Sequence, residues 1–118
     1  MEKKRILVAE DIDSNFFLVK CILKNEYELI RAYDGEEAVE LFSEVKPDIV
    51  LMDIKMPRMN GIEATQKIRS LSEDTPIVAI TANAFDSDKQ LAKEAGCSDY
   101  LCKPLSSKQL RDMLEKWI

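Results

Sequence analysis

At 118 residues, with 46% hydrophobic and 33% charged positions, the chain has the length and composition of one globular domain, residues 1–118, too short to build a second core. A net charge of −5 argues against nucleic acid as the primary partner, because phosphate contacts need a basic surface. No stretch approaches the roughly 20 apolar residues of a membrane span. MEKKR runs into ILVA without the apolar segment and cleavage site of a secretory signal, so a cytoplasmic chain without membrane insertion is expected. Cys21, Cys97 and Cys102 are odd in number and lack a C-x-x-C spacing, which favours reduced thiols over a disulfide or zinc site. The sequence contains no histidine, which excludes a His-ligated metal, a catalytic histidine or a phosphohistidine of its own.

In chain order, Lys3, Lys4 and Arg5 form a solvated start to a first strand, Ile6–Ala9, which ends in Glu10-Asp11. A first helix is expected over about 13–25, with Asp13 and Ser14 placed to cap it. Its apolar residues, Phe16, Phe17, Leu18, Val19, Ile22 and Leu23, cover more than one face. Part of that surface belongs to the core and the remainder is a candidate docking patch. The second strand, Glu28–Ala32, leads through Asp34-Gly35-Glu36-Glu37, whose acids suit the start of a helix over 35–45 with an Ala38, Leu41, Phe42, Val45 stripe. Ile49–Met52 is a buried strand running directly into Asp53, and Asn60 is placed to cap a helix over 61–71.

Ile77–Thr81 forms the fourth strand. The helix over 86–95 has only Leu91, Ala92 and Ala95 as anchors. Asp99–Cys102 is the fifth strand, followed by Lys103-Pro104, a dipeptide with an appreciable cis population. Ser106-Ser107-Lys108-Gln109 is a capping box with Leu105 and Leu110 as its staple. It opens a helix over 106–117 whose stripe is Leu110, Met113, Leu114 and Trp117. Strands alternating with helices imply a parallel sheet covered on both faces.

In an open sheet of this kind, ligands bind beyond the carboxyl ends of the strands. With strand order 2-1-3-4-5, Glu10, Asp11, Asp53, Thr81 and Lys103 all reach one crevice. Three carboxylates so close repel one another, and one lysine cannot balance them. A hard divalent cation can, since Mg²⁺ takes oxygen ligands from one or two carboxylates, water and a phosphate. An aspartate there can act as a nucleophile toward a phosphoryl group, with Lys103 and the Thr81 hydroxyl stabilising its oxygens.

The set Glu10-Asp11, Asp53, Thr81 and Lys103-Pro104, with the loop MDIKMPRMNG, resembles the receiver domain of two-component response regulators over essentially the whole chain. The asparagine in EDIDSN and the stretch ITANAFDSDKQLAKEAGCSDYLCKPLS are most similar to receivers of hybrid histidine kinases. Asn60 and Glu10 stand where aspartate is common, and both keep the oxygen chemistry. The resemblance implies a doubly wound, flavodoxin-like α/β fold with five parallel strands. It implies Asp53 as phosphoacceptor, and Mg²⁺ (or Mn²⁺) on Glu10, Asp11, Asp53 and the Lys55 backbone carbonyl. It implies Thr81 and Tyr100 as switch residues, Lys103 as phosphate partner, and a cis Pro104. The implied role is a switch rather than a stand-alone enzyme, one that catalyses its own phosphotransfer and autodephosphorylation. Lys55 and Asn83 would flank the path of the attacking water. The donor is a histidine kinase or histidine phosphotransfer domain, and dimerisation through the fifth-helix face stays open. A hydrolase working through an aspartyl phosphate is the rival reading. Such enzymes usually carry a second aspartate two residues after the nucleophile, where this chain has Lys55.

Overall fold

The computed structural model describes residues 3–56, 59–82 and 86–118. Five strands alternate with five helices: β1 (Arg5–Ala9), α1 (Asp13–Leu23), β2 (Glu28–Ala32), α2 (Gly35–Val45), β3 (Ile49–Asp53), α3 (Gly61–Leu71), β4 (Ile77–Thr81), α4 (Asp86–Ala95), β5 (Asp99–Cys102) and α5 (Ser107–Trp117). All strand pairs are parallel and the order is β2-β1-β3-β4-β5, as the sequence leads one to expect. No helix among the described residues is long and apolar enough to cross a membrane.

The two-residue period of a strand sends alternate side chains to opposite faces. Ile6, Val8, Ile49, Leu51, Val78 and Ile80 pack on one side with Val19 and Leu23 of α1 and Leu110 and Leu114 of α5. Leu7, Ala9, Val50, Met52 and Ile77 pack on the other with Ala38, Phe42, Ala64 and Ile68 of α2 and α3. This is why ILVA, IVLM and IVAI read as unbroken apolar runs. Register carries the order to the strand ends: Ala9 lies beside Met52, Asp53 beside Ile80, and Thr81 beside Cys102. Trp117 and Met113 are partly buried against the first layer. Phe17 and Leu18 of α1 are exposed, which leaves the outward part of that helix uncovered.

The caps follow the sequence at three helices. Asp34 accepts from the Glu37 amide at 2.8 Å, Asn60 from Glu63 at 2.9 Å, and Ser106 from Gln109 at 3.1 Å. The first helix differs. Its N-cap is Ile12, with no side-chain cap, and Asp13 lies inside the first turn rather than capping it. The Glu10 carboxylate accepts from the Ile12 amide at 3.3 Å and so braces the loop ahead of the helix. This helix also ends at Leu23 rather than near 25. The Leu23 carbonyl takes the amides of Glu26 and Tyr27, which turn the chain into β2. In α4, Ala92 and Ala95 are buried as expected, but Leu91 is half exposed.

Candidate functional site

Asp53 closes β3 and is only 4% exposed; Glu10 and Thr81, at the ends of neighbouring strands, are buried to the same degree. Lys103, just past β5, reaches across them. Its Nζ donates to Asp53 Oδ2 at 2.8 Å and lies 3.2 Å from Glu10 Oε1. The other Asp53 oxygen accepts from the Lys55 amide at 3.1 Å, which turns the chain away beyond the strand. The Lys103–Pro104 peptide is cis, and the Lys103 amide donates to the Thr81 carbonyl at 2.8 Å, tying β5's exit to β4's end.

The loop after Asp53 is held by close backbone approach. The Gly61 amide donates to the Ile54 carbonyl at 2.9 Å. A Cβ on Gly61 would fall 2.2 Å from the Asp53 carbonyl oxygen, so only glycine lets α3 start here. Gly35 abuts the Met59 carbonyl in the same way.

Glu10, Asp11 and Asp53 each offer an oxygen, and these lie within 4.8 Å of one another. The cost of this crowding shows on Glu10. Burial, then a hydrogen bond to Asp53 and repulsion from its charge, push its carboxyl from the usual 4.5 up to about 7, against the pull of Lys103. Lys103 itself loses by burial, but Asp53 and Glu10 outweigh that and hold its ammonium above the usual lysine value. One lysine therefore faces a cluster with an excess of negative charge. Among the described residues, Asp11 Oδ1 is a buried acceptor without a hydrogen-bond partner. An orphaned carboxylate oxygen beside two others, with hard oxygen donors throughout, fits a small divalent cation.

These features bring Glu10, Asp11, Asp53 and Lys103 together in one crevice, with Thr81 buried at the adjoining end of β4. Tyr100 stands apart: it is 39% exposed on β5, with the Lys89 ammonium 4.6 Å from its ring centroid. Lys55 is exposed at the rim, and Asn83 lies outside the described residues. A cleft of about 300 Å³ opens beside the carboxylates, lined by Glu10, Asn15, Leu18, Lys103, Pro104 and Leu105. A further cleft of about 390 Å³, between α4 and β5, lies away from this chemistry.

The family model of the response regulator receiver domain matches residues 6–115. The chain belongs to this family. As a receiver it is a phosphoacceptor signalling domain of two-component and phosphorelay systems. It is 37% identical to the hybrid signal transduction histidine kinase I of Dictyostelium discoideum, over all of this chain but only 7% of that protein. It is 31% identical to the polar-differentiation response regulator DivK of Brucella anthropi, covering 98% of this chain and 96% of that one. Among solved structures, the receiver domain of the sensor histidine kinase PA1611 from Pseudomonas aeruginosa, with magnesium coordinated in its active-site cleft, superposes with a TM-score of 0.92 at 33% identity, covering 98% of both chains. The receiver of Ssk1 from Saccharomyces cerevisiae, solved with the histidine phosphotransfer protein Ypd1, gives 0.91 at 30% identity, covering 98% of this chain and 88% of the other. The receiver fold is thus shared in full.

Arg31 is the residue that sequence reasoning passed over. It donates from Nε to the Glu10 carbonyl at 3.1 Å, directly behind the carboxylates. A lone arginine on an edge strand reads as solvated. The one available signal was its position, a charged residue set between the apolar Ile30 and Ala32 at the carboxyl end of the strand.

Proposed function

We propose that residues 1–118 form one receiver unit in which Asp53 accepts the phosphoryl group. The observation that carries this is the convergence on the end of β3: Asp53 is buried, held by Lys103 at 2.8 Å, and shares a 4.8 Å cluster of oxygens with Glu10 and Asp11. Those three carboxylates and the Lys55 carbonyl would hold Mg²⁺ (or Mn²⁺). When bound, the cation offsets the negative charge of the carboxylates and of the incoming phosphoryl oxygens.

Asp53 attacks the phosphorus of a phosphohistidine in line. An O–P bond forms as the N–P bond breaks, and the imidazole nitrogen keeps the electron pair. Lys103 supplies a fixed positive charge to the phosphoryl oxygens and the Thr81 hydroxyl donates to one of them. Because the sequence has no histidine, the donor is a histidine kinase or histidine phosphotransfer domain, and the cleft beside Asn15 and Leu18 admits its imidazole. The complex of Ssk1 with Ypd1 supports this type of partner.

Phosphorylation adds about −1.5 to −2 charge at the Asp53 position, which draws Thr81 and Lys103 inward. Tyr100 follows from its exposed site, and the surface of α4, β5 and α5 changes. This is a shift between two populated states. Water later returns Asp53 to its free form by self-catalysed hydrolysis. Incubation with Mg²⁺ and acetyl phosphate tests the assignment. The wild type gains one phosphoryl mass and Asp53→Asn gains none, whereas an unlabelled, folded wild type overturns it.

A further inference from the structure

Helix α1 begins without a side-chain cap, yet the loop before it presents both Glu10 and Asp11. Something outside the helix must set that loop. The Glu10 amide donates to the Ala32 carbonyl at 3.0 Å, and Arg31 Nε returns a bond to the Glu10 carbonyl at 3.1 Å. Consecutive residues of β2 therefore tie both sides of Glu10. The same guanidinium reaches the far end of the loop, where Nη1 lies 2.9 Å from Asp13 Oδ1. The Phe16 and Tyr33 rings lie against it, with centroids 4.8 and 4.1 Å from the guanidinium carbon. The side chain is only 13% exposed, and among the described residues its Nη2 has no hydrogen-bond partner.

We infer that Arg31 is a positioning residue of the metal-binding loop: its planar fork brackets residues 10–13 and holds the Glu10 and Asp11 carboxylates in register with Asp53. This rests on the reading that those carboxylates hold a divalent cation. Two effects of Arg31 on cation binding oppose each other. Its positive charge near the site disfavours a cation, whereas a preset loop favours one. The first is blunted because Asp13 pairs with that charge. Groups that orient metal ligands from behind commonly change affinity by about 10–100-fold, so orientation prevails. Lysine keeps the charge but not the fork, which separates the two effects.

The test is Mn²⁺ titration of the full chain, followed by the electron paramagnetic resonance signal of the free ion, on wild type, Arg31→Lys, Arg31→Met and Asp13→Asn. Far-UV circular dichroism fixes a temperature at which each is folded, and melting in EDTA gives its metal-free stability. The dissociation constant rises about tenfold in both Arg31 variants and by less in Asp13→Asn. If Arg31→Met fails to fold, Arg31→Lys and Asp13→Asn decide. Unchanged Mn²⁺ affinity in those variants assigns Arg31 a purely structural role, whatever the melting temperatures do, and overturns the inference. Tighter binding in Arg31→Met overturns it in favour of simple charge repulsion. A wild type that binds no Mn²⁺ defeats the underlying metal reading, and Arg31's role with it.

Discussion

Replacing Asp53 with asparagine should make the metal-free protein more stable, although it removes the central residue of the site. Glu10 carries the strain, because burial and then Asp53 push its carboxyl from 4.5 up to about 7. At 1.36 kcal/mol for each pKa unit, that amounts to roughly 3 kcal/mol against the folded state once Glu10 is ionised. Burial, the largest cause, survives the substitution, whereas the hydrogen bond to Asp53 and its charge are lost or weakened. Lys103 keeps Glu10 as a partner at 3.2 Å, so its ammonium is not orphaned. The net expectation is a gain of about 1–2 kcal/mol at pH 8, or about 4–8 °C in Tm. The sign with pH follows from proton counts. Glu10 holds its proton to higher pH in the folded chain than in the unfolded one, so stability falls as pH rises from about 4.5 to about 7. The advantage of Asp53→Asn therefore shrinks toward pH 5. Saturating Mg²⁺ stabilises the wild type by mass action and narrows or reverses the gap. Urea melts in EDTA at pH 5 and pH 8 measure this. An Asp53→Asn protein no more stable than wild type at pH 8, or a gap unchanged between the two pH values, would show that Asp53 does not strain Glu10.

Other outcomes follow from neighbouring contacts. Gly61→Ala places a Cβ 2.2 Å from the Asp53 carbonyl oxygen, so it should cost about 1–3 kcal/mol in urea melts and weaken Mg²⁺ binding in calorimetric titration. Lys103→Met leaves Glu10 and Asp53 without their shared cation. It should lower metal-free stability by about 2 kcal/mol at pH 8, less at pH 5, and reduce phosphoryl uptake by mass spectrometry. Burial raises the Asp99 carboxyl, but Lys116 at 2.9 Å, the Tyr100 amide and the Trp117 indole outweigh it and hold the group below its usual 3.8. Its contribution is present above that value and lost as pH falls below it. Asp99→Asn should therefore cost about 1 kcal/mol near neutrality, with the difference fading in melts below pH 4.

The fold was legible because local and global signals agree in this chain. Strands buried on both faces need unbroken apolar runs, and caps such as Asp34, Asn60 and Ser106 bond amides three residues on, so both are written in short spacings. The polar residues of the crevice were legible for a related reason: each lies at a strand end, and the topology gathers strand ends. What escaped depends on contacts between distant segments. Asp13 looks like a cap by composition, but Arg31, eighteen places away in sequence, claims its carboxylate. Arg31 went unnoticed because its partners lie in the preceding loop and helix, and no fixed spacing links them. Leu91 has the right spacing for an anchor, yet it is half exposed where Ala92 and Ala95 turn inward.

In the proposed reaction, Asp53 receives the phosphoryl group with the help of a cation on Glu10 and Asp11. Phosphotransfer from a phosphorylated histidine phosphotransfer domain, followed by borohydride reduction and peptide mapping, tests it most directly. Reduction converts an aspartyl phosphate to homoserine and so marks the acceptor. Homoserine at position 53 alone, formed with Mg²⁺ and not with EDTA, is the predicted result. Homoserine at another acidic residue, or transfer undiminished by EDTA, contradicts the account.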